Sequence, residues 1–278
     1  VTGPGRRTVL ITGSTDGMGR WLALRLAEAG DRVLIHGRHE GRAQEVRRQV
    51  REATGEDRAE VLLADLAELP EVDRLADEVA ARTDRLDVLV NNAGIGGASP
   101  GGRRQVDAFG VERRFAVNYL AGYRLTRRLL PLLIGSAPSR IVNVASAGQH
   151  AIDFADPMLA AGYDATRAYS QSKLAQIMFT FDLAEELRGT GVTVDALHPA
   201  TFMDTTMVRE VGVSPWSTVE EGGVATLRLI NAADPGSGRY FNGLDEAWAD
   251  RQAYDPEARR KLRELSDHLL AGPAGAGH

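Results

Sequence analysis

The sequence predicts an α/β fold: a single domain built on a doubly wound, mostly parallel β-sheet with helices on both faces. Three observations carry that expectation. Short apolar runs such as Val9-Leu10-Ile11 and Val33-Leu34-Ile35 recur along the chain, as strands covered on both faces require. Amphipathic stretches of helical length separate them, so strand and helix alternate. The first strand enters a glycine turn, Thr12-Gly13-Ser14-Thr15-Asp16-Gly17-Met18-Gly19, and a helix follows through Ala29.

The remaining elements follow in order. Strands are expected at residues 8–11, 32–36, 60–64 and 86–90, with helices near 42–53 and 72–82 between them. A long helix over 110–133, a strand at 140–145, a helix over 168–187 and a strand at 193–197 complete the sheet core. Residues 236–241 are expected to add an edge strand, and 256–270 a terminal helix with proline in its first turn. The glycine-rich tail, 271–278, is expected to be disordered. Segments 147–167 and 201–235 fall beside the carboxyl ends of strands and are expected to wall a substrate pocket.

With 278 residues and 43% hydrophobic content, the chain can bury a large core as one domain over 1–278. A formal net charge of -5 argues against nucleic acid or an anionic membrane as the main partner. There is no cysteine, which excludes disulfides, thiol catalysis and thiolate metal sites. None of the six histidines stands in a metal-ligand pattern, so no metal is expected. No apolar run reaches the roughly 20 residues of a membrane helix, and residues 1–7 lack a hydrophobic signal core. A cytoplasmic protein without a membrane partner is the expectation.

Chemistry concentrates at Tyr169-Ser170-Gln171-Ser172-Lys173, which puts a phenol and an ammonium at i and i+4, on one helix face. A nearby positive charge favours the phenolate and makes a tyrosine useful as a proton donor or acceptor. The chain holds 33 Lys+Arg, yet lysine stands only at 173 and 261, which suggests a site needing a compact ammonium. The glycine turn lets backbone approach a ligand, and the helix start behind it offers N–H groups to a pyrophosphate. After the second strand comes Gly37-Arg38 with no acid; an arginine there accommodates a 2′-phosphate and favours NADP(H) over NAD(H). Asp16, inside the turn, brings a negative charge towards that phosphate. Asp65-Leu66 is placed either at the adenine edge or, through Asp65, as the cap of the next helix. Asn91-Asn92-Ala93-Gly94 offers small residues for close approach.

Taken in order, Thr12-Gly-x-x-x-Gly-x-Gly19, Asn91-Asn92-Ala93-Gly94, Asn118, Ser146 and Tyr169-x-x-x-Lys173 resemble the single-domain short-chain dehydrogenases/reductases, whose fold is Rossmann-type. Phe115-Ala-Val-Asn118, Arg140-Ile-Val-Asn-Val-Ala-Ser146 and Gly191-Val-Thr-Val-Asp-Ala-Leu-His-Pro199 look most like the retinol-dehydrogenase-like branch. The resemblance implies that Tyr169 exchanges a proton with the substrate oxygen while Ser146 holds that oxygen. It implies that Lys173 binds the nicotinamide ribose and lowers the tyrosine's pKa, and that Asn118 holds a relay water. It implies cofactor contacts from Gly13, Ser14, Thr15, Asp16, Gly17, Met18, Gly19, Arg38, Asp65, Leu66, Asn92, Ala93, Gly94, Tyr169, Lys173, Pro199 and Thr201.

Two departures stand out. Ala200 follows Pro199 where the family usually has glycine, and Ala145 stands where a second serine is common. Phe154, Met158, Leu159, Phe202, Met203, Met207 and Trp216 are expected to line an apolar pocket, with His150 as a binding candidate. The expected substrate is a moderately lipophilic carbonyl compound or alcohol. The competing reading is a non-catalytic NADP-sensing or scaffold protein of the same fold. By analogy, the two long helices are expected to pair copies into a homodimer or homotetramer.

Overall fold

The computed structural model describes residues 6–96, 103–107, 110–210, 212–233 and 236–271; the expected tail beyond Ala271 lies outside them. Strands β1 (Thr8–Ile11), β2 (Arg32–Gly37), β3 (Ala59–Leu63), β4 (Val88–Asn91), β5 (Ser139–Val144), β6 (Val192–His198), β7 (Tyr240–Asn242) and β8 (Asp245–Glu246) form one sheet in the order β3-β2-β1-β4-β5-β6-β7-β8. All neighbours run parallel except β7 and β8, which form an antiparallel hairpin. The helices are α1 (Gly17–Glu28), α2 (Glu40–Thr54), α3 (Leu69–Arg82), α4 (Ala121–Gly135), α5 (Ala165–Glu186), α6 (Thr206–Glu210), α7 (Val219–Asn231) and α8 (Pro256–Ala271).

Successive strand side chains point to opposite faces, and this divides the core into two layers. Leu10, Leu34, Leu89 and Ile141 pack with α3, α4, α5 and α8, whereas Val9, Val33, Ile35, Val88 and Val142 pack with α1, α2 and α7. The sheet edge at β3 is closed by arginines from α3. Arg74 donates to the Leu63 carbonyl at 2.6 Å and Arg82 to the Val61 carbonyl at 3.0 Å, leaving these two acceptors unavailable to an added strand.

Helix boundaries follow their caps. Helix α5 begins three residues earlier than expected, because Asp164 accepts from the Arg167 N–H at 2.6 Å. The helix expected over 110–133 instead starts with a π-helical turn, Phe115–Leu120, that leads into α4. Residues 106 and 112 are bridged in extended conformation, which delays it. Helix α7 was not anticipated, although Thr218 and Glu221 form a complete capping box at its start.

Helix α8 lies across the outer faces of the π turn, α4 and α5. The Tyr119 hydroxyl is 2.7 Å from Ser266, Tyr123 donates to Asp267 at 2.8 Å, and Arg263 pairs with Asp182 at 2.8 Å. Part of the surface of the two long helices therefore carries a helix of the same chain. Among the described residues no helix is long and apolar enough to cross a membrane.

Candidate active site

The strand order reverses between β1 and β4, so a crevice opens beyond their carboxyl ends. Its floor is the glycine turn. Gly13 and Gly17 adopt φ of 66 and 48, where a side chain is disfavoured. A Cβ on Gly13 would stand 2.9 Å from the Ala93 Cα, and one on Gly19 2.3 Å from the Gly13 carbonyl oxygen. The amides of Met18 and Gly19, in the first turn of α1, reach no carbonyl of that helix, an arrangement that suits an anion.

Asp16 caps α1 by accepting from the Gly17 N–H at 2.7 Å, and its other oxygen accepts from Thr206 at 2.6 Å. The Thr206 hydroxyl above all, helped by the Gly17 amide and by Arg42 and Arg20, holds its carboxyl below the usual range despite partial burial. Thr15 packs over Gly37, where a Cβ would meet its methyl at 2.4 Å. Ser14, Met18 and Asn92 turn their side chains inward, leaving backbone to the crevice. Ser14 donates to the Ile11 carbonyl and accepts from the His36 N–H, both at 2.9 Å. Met18 is buried against Thr226 of α7, and the Asn92 amide donates to the Thr12 and Gly13 carbonyls at 2.8 and 3.1 Å.

His36 escaped the sequence reading. Its Nδ1 accepts from the Gly13 N–H at 3.0 Å, and its Nε2 faces the Ala64 carbonyl at 3.2 Å, so the neutral Nε2–H tautomer satisfies both. Burial pushes its pKa down to about 4. Beyond it, Arg38 is half-exposed, with its guanidinium 3.8 Å from the Asp65 carboxylate. Asp65 accepts from the Ala67 N–H at 3.0 Å, while α3 starts only after Glu68, so Asp65 caps a turn and not the helix. Leu66 is buried in the core.

At the head of the crevice the four expected catalytic side chains come together. Asn118 sits in the π-helical turn, an irregularity frequent at functional sites. Its Oδ1 accepts from the Ile95 N–H at 2.7 Å, and its Nδ2 donates to the Ile95 carbonyl at 3.1 Å and to Ser172 at 2.9 Å. A Cβ at Gly94 would lie 3.3 Å from Asn118 Oδ1 and 3.4 Å from Lys173 Nζ, so glycine here leaves room for both side chains beside the loop after β4. Lys173 Nζ donates to the Val144 carbonyl at 2.8 Å and to Gln176 at 2.9 Å, and lies 5.9 Å from the centre of the Tyr169 ring.

The phenol departs from expectation. Burial raises the Tyr169 pKa, and the hydrogen bond with Ser146 opposes that rise without reversing it. The expected lowering by Lys173 is not seen, for a physical reason: burial brings Lys173 itself down to about 7, and its donors point at Val144 and Gln176. After β6, Pro199 is buried, and Thr201 lies 3.0 Å from His198 Nε2. At the turn where Ala200 replaces the family's usual glycine, the left-handed residue is Phe202, φ 43.

The pocket candidates divide in two. Leu159 is buried, and Met203 packs with the layer around α1 and α7. Phe154 and Met158 pack partly buried against the opposite layer. Phe202 and Trp216 stack edge to face at 5.0 Å on the exposed rim, while Met207 approaches Gly96 and His150 is exposed. Among the described residues, no group of three or more His, Asp or Glu is placed to hold a metal ion.

The profile described as short chain dehydrogenase matches residues 7–215, a span that includes Asn118, Ser146, Tyr169 and Lys173. The chain belongs to the short-chain dehydrogenase family. It is 34% identical to retinol dehydrogenase 13 of Mus musculus over 99% of this chain and 88% of that protein. It is 36% identical to retinol dehydrogenase 14 of Homo sapiens over 95% of this chain and 86% of that protein. A solved but uncharacterised protein of Mycobacterium paratuberculosis superposes with a TM-score of 0.78 at 27% identity, over 97% of this chain and 95% of that one. The Pseudomonas aeruginosa RhlG/NADP complex does so at 0.69 and 28%, over 85% and 94%. This short-chain dehydrogenase is thus of the retinol-dehydrogenase-like branch and is an NAD(P)-dependent oxidoreductase acting on CH–OH and C=O groups. The cradle at Gly13, the bare backbone at Gly94 and the half-exposed Arg38 fit a nicotinamide dinucleotide.

Proposed function

We propose that this enzyme interconverts a moderately lipophilic ketone or aldehyde and its alcohol with NADP(H), Tyr169 serving as proton donor and acceptor. The observation that carries this reading is the convergence at the bare backbone of Gly94, with Asn118 and Lys173 beside it, Lys173 Nζ 5.9 Å from the Tyr169 ring centre and the Ser146 hydroxyl acting on the phenol, so that one substrate oxygen can meet both hydroxyls. The bound nicotinamide supplies or accepts the hydride. Ser146 orients the oxygen by hydrogen bonding. Tyr169, protonated at neutral pH because burial raises its pKa, donates to that oxygen as the carbonyl is reduced. Lys173 and Asn118 bind and relay beside it, Lys173 towards the ribose hydroxyls and Asn118 through a water.

Arg38 favours the 2′-phosphate of NADP(H), and the RhlG/NADP complex is in keeping with that choice. The exposed Phe202–Trp216 pair and Met207 suit an apolar substrate, as do relatives named retinol dehydrogenases. The test is turnover of NADPH against a panel of lipophilic aldehydes and ketones that includes all-trans-retinal. Tyr169→Phe is expected to lower kcat by about 10²–10⁴-fold while NADPH still binds. A larger thermal shift with NAD than with NADP would overturn the cofactor assignment. Nucleotide binding with no carbonyl or alcohol turned over would favour a sensing role instead.

A further inference from the structure

Ser146 opens the loop that follows β5, and that loop is gripped from the C-terminal quarter of the chain. The Ser146 carbonyl accepts from the Tyr240 hydroxyl at 3.0 Å and from Gln149 Nε2 at 3.1 Å. Gln149 Oε1 in turn accepts from the Asp250 N–H at 2.7 Å. Two bonds of Gln252 hold Ile152: its Oε1 accepts from the Ile152 N–H at 2.7 Å and its Nε2 donates to the Ile152 carbonyl at 3.0 Å. Asp250 fixes Gln252 by accepting from its N–H at 2.8 Å. Tyr240 is 3% exposed, and burial above all pushes its pKa up to about 12, so its hydroxyl remains a donor throughout the neutral range.

The consequence falls on the serine hydroxyl. Ser146 Oγ accepts from the Gly148 N–H at 3.0 Å, so its direction depends on how the turn 146–149 is held. The same hydroxyl acts on Tyr169, opposing the rise that burial imposes on the phenol's pKa. We propose that Tyr240 and Gln149 are positioning residues for Ser146, and that the strap 240–254 sets the serine hydroxyl against Tyr169. The inference rests on the proposed role of Ser146 and Tyr169 and adds a determinant beyond residue 215, where the match to the family profile stops.

Tyr240→Phe keeps the buried ring and deletes one donor; Gln149→Met is the second variant, should the first fold poorly. Rates are measured in single turnover with saturating NADPH and the best aldehyde of the panel, and NADPH binding by fluorescence. A slight misplacement of a reacting group is enough to slow a reaction by an order of magnitude or more. Each variant is expected to lower the hydride-transfer rate about tenfold, with the NADPH Kd within about twofold of wild type. In a Ser146→Ala background, Tyr240→Phe should have little further effect, because the two act through one group. Full activity of Ser146→Ala would overturn the site reading itself. An impaired Ser146→Ala beside fully active Tyr240→Phe and Gln149→Met would overturn only the strap's role. So would a Tyr240→Phe defect that multiplies undiminished onto Ser146→Ala, or one matched by weaker NADPH binding.

Discussion

His36 is neutral because the Gly13 N–H needs an acceptor and the Ala64 carbonyl a donor, and one imidazole provides both. Its pKa of about 4 in the folded protein lies below the ordinary 6.5, so between those values the unfolded chain binds more protons. Stability is therefore fully present above about 6.5 and is lost as pH falls towards 4, by about 3 kcal/mol in all. Denaturant unfolding of His36→Gln should show a correspondingly shallower pH dependence; an unchanged slope would mean another group carries it. Tyr169 makes the second prediction at this scale. Since burial raises the phenol, alcohol oxidation, which needs the phenolate, should climb as pH rises above neutrality, while carbonyl reduction stays level around neutral pH. Oxidation already on a plateau at neutral pH would contradict it. Neither His36 nor the direction of the Tyr169 shift was legible in the sequence: a histidine inside a strand has no local mark, and the Tyr-x-x-x-Lys spacing says which face is shared but not where the ammonium points.

At the scale of elements, the segment before α4 is held by a buried ion pair. Arg114 donates to Glu112 at 3.1 Å, to Tyr163 at 2.5 Å and to the Gly96 carbonyl at 2.8 Å, with Glu112 fully buried. Tyr163 immediately precedes Asp164, the cap of α5, so the pair joins the loop after β4, at Gly96, to the helix that bears Tyr169 and Lys173. Removing the guanidinium in Arg114→Met leaves a buried carboxylate without it, and should destabilise the fold by about 3–5 kcal/mol in denaturant titration. Thr218→Ala, which deletes the α7 cap, should lower stability by about 1 kcal/mol; no change in Tm would show that the cap is idle. Most strands and helices were readable from period and glycine alone. The π turn at Asn118 was not, since a helix that widens by one residue keeps the same apolar residues. The capping box of α7 is written in the sequence as Thr218 followed three residues later by Glu221.

For the whole molecule, α8 decides which surfaces remain free. It covers Tyr119, whose pKa burial raises, and Tyr123, brought up to about 12 by burial and by Asp267. A chain ending at Asp255 would uncover these aromatic rings together with the face of α5. It should melt at a lower temperature and self-associate in light scattering; unchanged size and Tm would show that α8 contributes little.

Local order was enough to determine the alternation of strand and helix, the glycine turn, and the presence of Ser146, Tyr169 and Lys173 at workable spacings, because periodicity and glycine act over a few residues. Folding alone decided the rest: which carbonyl the ammonium meets, which ring sits beneath Gly13, and what steadies the serine. Gly13 and His36 are 23 positions apart, Ser146 and Tyr240 94, and Tyr119 and Ser266 147. Contacts across such separations exist only once the sheet has assembled, so no short stretch of chain carries their signature.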